Sequence, residues 1–167
     1  MNRRGFSLVE LVVIIGVMVV LMTIATLEFG SWQRKSLVER YTKELYSDLQ
    51  DARMKAAFTK VRQGVEFGAQ QVVFRRFSSE GDLAGTNVAT KTVPIAFTRN
   101  TADSPAPANR IEFDSRGIMR DPAIQVICFT ASVDAAYDAL IIAPALTSMG
   151  KVTNRESSCA RTNVTQK

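Results

Sequence analysis

Residues 1–29 read MNRRGFSLVELVVIIGVMVVLMTIATLEF, a short basic leader that runs straight into an apolar stretch. Arg3, Arg4 and Gly5 close the leader, and no charge falls between Leu11 and Leu27. A helix rising ~1.5 Å per residue from Phe6 to Leu27 covers roughly 30 Å, the thickness of a bilayer's hydrocarbon layer. The sequence therefore predicts a membrane-spanning helix with one anomaly, Glu10, near its start. A carboxylate in hydrocarbon costs ~3 kcal/mol or more, so such a residue normally faces a partner.

Beyond this stretch the helical pattern continues. Val38, Tyr41, Leu45, Leu49, Ala52 and Ala56 recur three or four positions apart and draw one apolar stripe, while Arg34, Glu39, Lys43, Glu44, Asp51 and Lys55 fill the remaining surface. One helix from about Ser7 to about Thr59 accounts for both halves, with a length on the order of 80 Å. Gly16 and Gly30 are soft points, each costing up to ~1 kcal/mol against alanine, and a melted segment near Gly30 would be unsurprising.

From Gln63 the pattern changes to short β-rich runs. Val65–Phe67 and Gln70–Phe77 form an expected hairpin around Gly68, followed by strands at Thr92–Thr98, Ile111–Asp114, Ile124–Thr130 and Ala139–Ile142, and a last short one at Val152. Ser78–Thr86 and the Pro105, Pro107 segment from Asn100 to Asn109 read as exposed loops. A long helix first and strands afterwards give an α+β class, the helix covering one face of a mainly antiparallel sheet.

The block Gly5-Phe6-Ser7-Leu8-Val9-Glu10-Leu11 behind Arg3-Arg4 resembles the class III leader of type IV pilins and type II secretion pseudopilins. Arg110 to Gly117, and Ala139-Leu140-Ile141-Ile142 followed by Met149-Gly150-Lys151-Val152, resemble strand and turn patterns of the GspH/FimT group of minor pilins. The resemblance implies a minor pilin or pseudopilin of a type IV pilus or type II secretion system. It further implies that prepilin peptidase cuts after Gly5 and that Phe6 becomes the N-methylated first residue. Glu10 would neutralise the new amino terminus of a neighbouring subunit, or its own, inside the helical core of a filament, since opposite charges in apolar surroundings are each costly alone and tolerable together. Three segments follow: residues 1–5 as leader, 6–29 as the transmembrane and assembly half of the helix, and 30–167 as the globular domain. The expected course runs from a single pass in the bacterial inner membrane, with that domain in the periplasm, to a pilus or pseudopilus filament of like subunits. A secretory signal peptide and a plain single-pass anchor are the alternative readings of the N-terminal stretch.

Cys128 and Cys159 are the two cysteines, and an even pair closing a loop near the C-terminus suits a disulfide in an oxidising compartment. Two unpaired thiols are the other reading. The formal net charge of +5 loses two positive charges with Arg3 and Arg4, which leaves a mildly basic domain.

Enzymatic readings find no support, and no cofactor or small-molecule substrate is expected. The chain has no histidine, which excludes Ser-His-Asp and Cys-His arrangements and histidine-bearing zinc sites. Two cysteines cannot build a thiolate cage, so no metal is expected. Glu112 and Asp114 alternate with Ile111 and Phe113 and read as the solvent face of a strand. DNA is the rival partner. Some FimT-like pilins are thought to take up DNA through a basic Gly-Arg-x-Arg motif near the C-terminus. Here Gly150-Lys151-Val152-Thr153-Asn154-Arg155 keeps the glycine and lacks the close arginine pair, which leaves Lys151, Arg155 and Arg161 as candidate phosphate contacts on a polar tail. A major pilin is a further alternative.

Overall fold

The structure is a computed structural model that describes residues 7–100, 109–130, 133–155 and 158–167, without the side chains of 24–28. Gly5 and Phe6 lie outside the described residues, as does most of the proline-containing loop.

One helix, α1 (Leu8–Thr59), runs for 52 residues from an extended Ser7 to Lys60, which ends it in the left-handed conformation at φ 57°. The single helix expected from about Ser7 to about Thr59 forms, and it does not melt near Gly30. Helix already stands on both sides of that glycine, and extending it through one poor position costs less than nucleating a second helix. The stripe lands where its periodicity puts it: Val38, Leu45, Leu49, Ala52 and Ala56 are buried, with Tyr41 packed at the margin.

Among the described residues nine strands follow, in two antiparallel sheets rather than the single one expected. The first has the order β3-β2-β1-β5, from β1 (Gln63–Phe67), β2 (Gln71–Arg76), β3 (Thr86–Thr92) and β5 (Arg110–Phe113). The second has the order β4-β6-β7-β8-β9, from β4 (Phe97–Arg99), β6 (Gln125–Phe129), β7 (Ala139–Ile142), β8 (Thr147–Val152) and β9 (Val164–Gln166). The predicted strand Thr92–Thr98 is in fact the end of β3, a turn at Pro94 and the start of β4. Proline lacks the N–H that a ladder needs, so the chain turns there and changes sheet.

Helix α1 lies across both sheets, touching β1 and β5 of one and β7 and β8 of the other. Its stripe meets Val65, Ile111 and Phe113 on one side and Ile127, Leu140 and Ile142 on the other in one continuous core. At ~25 cal/mol per Å², such burial is the main favourable term holding helix to sheets. The turn after β5 seats against the helix at Gly117, whose φ is 79° and where a Cβ would meet the Arg53 carbonyl at 2.9 Å.

The second sheet is covered on its other face too. Val126, Cys128, Ala139, Ile141 and Val164 form a smaller cluster there, with Cys159 of the C-terminal segment packed against it. Every residue of β6 and β7 is consequently buried.

Glu112 does not face solvent as expected. Its carboxylate, 13 % exposed, accepts from Arg62 at 3.2 Å and pairs with Arg110 at 2.8 Å. Both guanidinium groups lie over the Phe77 ring, 4.0 and 5.2 Å from its centroid. Phe77 reaches that position because Gly64 and Gly85 flank it, and a Cβ on either would come within 2.8 Å of the ring. Arginine stems and an aromatic plane thus roof what strand alternation assigns to water.

Candidate functional site

The stem of α1 is the most unusual surface of the molecule. Large apolar side chains from Leu8 to Met22 are exposed around the whole circumference, from 41 % at Ile14 to 79 % at Leu8. Soluble proteins do not present such a rod to water, so this surface requires a partner. Glu10 stands exposed in the first turn of that rod, where a carboxylate also meets the positive end of the helix dipole, worth ~0.3–1 kcal/mol. Its neighbours one turn on, Val13 and Ile14, are apolar and offer it no cation. Among the described residues no helix is long and apolar enough to cross a membrane. The expected span, residues 6–29, takes in Phe6 and the side chains of 24–28, which lie outside that description.

The rod is fixed to the head by polar contacts as well as by the stripe. Lys91 of β3 reaches down to Asp48 at 2.7 Å and Glu44 at 3.3 Å, and the Asp48 contact raises its pKa above the ordinary lysine range. Arg53 donates to the Ala143 carbonyl at 3.1 Å and lies over the Phe113 ring, and burial lowers its pKa. Thr42, fully buried, donates to the Val38 and Tyr137 carbonyls, and Glu39 accepts the Ala136 N–H at 2.8 Å. Apart from the Thr42–Val38 bond, these contacts join residues 43 to 97 positions apart in sequence, and no local pattern announces them.

At the other end of the domain, Cys128 and Cys159 are joined in a disulfide, as the even count suggested. The candidate phosphate contacts lie close by but are engaged with protein. Lys151 pairs with Asp134 at 2.8 Å, Arg155 with the buried Asp138 at 2.6 Å, and Arg161 donates to the Val164 carbonyl at 2.9 Å. Lys151 holds the Asp134 carboxyl below the usual carboxylate range, whereas burial pushes Asp138 up. Sequence reasoning missed both acids. Their signal was the strand register: Ala139 opposes Gly150, which sets Asp138 beside Lys151. The tail itself is more ordered than a polar composition suggests, since β9 pairs with β8 from Val164 to Gln166. Among the described residues no group of His, Cys, Asp and Glu could hold a metal ion.

Residues 1–26 match the family described as the prokaryotic N-terminal methylation motif. No curated protein and no solved structure matches the chain. The motif supports a type IV pilin-like subunit of the kind that prepilin peptidase processes and that is membrane-anchored before it assembles with other subunits. A long N-terminal helix packed on antiparallel sheets is consistent with a pilin-like fold.

Proposed function

We propose that this chain is a minor pilin or pseudopilin subunit of a type IV pilus or type II secretion system, and that its work is packing rather than catalysis. The observation that carries the proposal is the stem: apolar on every side from Leu8 to Met22, it continues without a break into the core of the head. Two successive environments suit such a surface. Lipid covers it while the subunit waits in the inner membrane as a single pass, with residues 30–167 in the periplasm. Neighbouring stems cover it once the filament forms. Prepilin peptidase cuts between Gly5 and Phe6, and the freed, methylated amino terminus of a neighbouring subunit, or its own, supplies the cation that Glu10 lacks among the described residues of its stem. An ion pair in apolar surroundings is strongly destabilised when one member is removed, by ~3–5 kcal/mol, which is enough to set the register of one subunit on the next.

Mass spectrometry of the mature chain tests the processing step: a start at methylated Phe6 is expected, and a start beyond Ala25 overturns it. Glu10→Val tests assembly. The variant is expected to insert in the membrane normally and to enter filaments poorly; normal incorporation removes the assigned role. DNA capture is the weaker reading, because Lys151 and Arg155 are already paired with Asp134 and Asp138.

A further inference from the structure

Where the stem meets the head, α1 carries two aromatic residues and then a run of cations. Phe29 and Trp32 are both more than half exposed, and their rings stack 6.0 Å apart on one face of the helix. Arg34 and Lys35 follow immediately. Arg34 borders an apolar groove of about 280 Å³ between the helix, at Leu37 and Val38, and the turn Pro94 to Ala96 at the lower rim of the head. Higher on the helix, Arg40 and Lys43 lie over the rings of Tyr41 and Tyr137. Glu28 precedes Phe29 and its side chain lies outside the described residues, while the described acids nearby, Glu39 and Asp134, are engaged with protein. Glu39 accepts the Ala136 N–H, and Asp134, whose carboxyl feels the Lys35 charge, is bound to Lys151.

We propose that Phe29, Trp32, Arg34 and Lys35 form a collar that seats the subunit at the bilayer surface and binds anionic phospholipid in preference to zwitterionic lipid. The proposal rests on the membrane-anchored reading above. Exposed aromatic side chains with an apolar body and a polar edge settle at the boundary between hydrocarbon and headgroups. With Trp32 at that boundary, Arg34 and Lys35 stand ~3 to 5 Å further out along the axis, inside the headgroup layer, and helical side chains lean back toward the N-terminus and so toward the membrane. Two cations at that depth complement lipid phosphates that carry net negative charge. The groove beside Arg34, with its aliphatic walls, lets an acyl chain or glycerol edge lie against the head while the phosphate meets the guanidinium.

Trp32 is the single tryptophan of the chain, so its fluorescence reports this position alone. The full chain is reconstituted in phosphatidylcholine vesicles containing a quarter phosphatidylglycerol, with bromine placed on the acyl chains of one lipid or of the other, and flotation is scored alongside. The expected result is a blue-shifted Trp32 that brominated phosphatidylglycerol quenches more, per mole of lipid, than brominated phosphatidylcholine. In the Arg34→Gln, Lys35→Gln double variant that preference is expected to fall, by about fivefold per cation removed, while flotation stays unchanged. Equal quenching by the two lipids in vesicles that float with the protein overturns the collar and leaves the membrane reading standing. A chain that does not float overturns the membrane reading and the collar with it.

Discussion

The guanidinium of Arg99 in β4 donates to the main-chain carbonyl of Arg110 in β5 at 3.1 Å, which bridges the edge strands of the two sheets. The same group donates to the Gln125 side chain, and Gln125 in turn donates to the Asp121 carboxylate. Burial lowers the Arg99 pKa to about 10, while the Asp121 charge acts to raise it. A charge held in this way is costly to orphan and costly to remove. Arg99→Met is expected to lower stability by ~2–4 kcal/mol, because the buried Gln125 side chain and the Arg110 carbonyl lose a donor and Asp121 loses a nearby positive charge. Urea denaturation checks this, and a loss under about 0.5 kcal/mol, the scatter of surface substitutions, shows that the bridge does not hold the sheets together.

The disulfide closes a span of 31 residues and pins the segment that covers the outer face of the second sheet. Cys159→Ser is expected to cost roughly 3–4 kcal/mol on the chain-entropy estimate. Hydrogen exchange separates this from a general loss of stability. Under native conditions, Val164 to Gln166 should lose protection first, while the amides of α1 between Val38 and Ala56 stay protected.

Asp82 organises the loop between β2 and β3. Its carboxylate accepts the N–H groups of Ser78 at 3.0 Å and Gly85 at 2.9 Å, and these bonds lower its pKa to about 2. A carboxylate depressed in the fold stabilises it above its unfolded pKa, near 3.8, and that contribution is lost as pH falls from there toward about 2. The Ser78 and Gly85 amide signals of the folded protein should therefore shift together about a midpoint near pH 2 in an NMR titration. In Asp82→Ala they should show no such joint transition.

Arg155 faces a buried acid. Removing it as Arg155→Ala leaves the Asp138 carboxylate accepting the Val152 N–H but without its closest cation, and an unpaired buried charge costs ~3–5 kcal/mol. Burial already holds the Asp138 pKa above its ordinary value, so protonation offsets part of that cost and the variant should be least damaged at acid pH. Thermal melts of the two proteins at pH 7 and pH 4 check this. An equal deficit at both values rules out Asp138 as its origin.

The helix was legible because two strong signals agree over its whole length: an uncharged run and then a stripe at helical spacing. Strands such as Gln71–Arg76 and Ala139–Ile142 were legible as short apolar or β-branched runs set between turn residues. Thr86–Thr92 was not, because it is an edge strand exposed at nearly every residue and no burial pattern marks it. β9 was hidden because Val164 alone among its three residues is buried. Glu112 misled because alternation tells which side of a sheet a residue faces and not whether arginines from elsewhere will cover that side. At the candidate site, Glu10 could be singled out by its neighbours alone. The partners of Lys151 and Arg155 could not be, because pairing across strands depends on register.

An unbroken α1 makes the head's heading a function of the stem's. With Gly30 helical and Arg53, Thr42 and Lys91 clamping the upper half, the compass bearing of the head is set by how the lower half is rotated about its axis. One residue inserted between Met22 and Val38 would swing the head by about 100° and raise it ~1.5 Å, turning a different flank outward without altering any contact inside it.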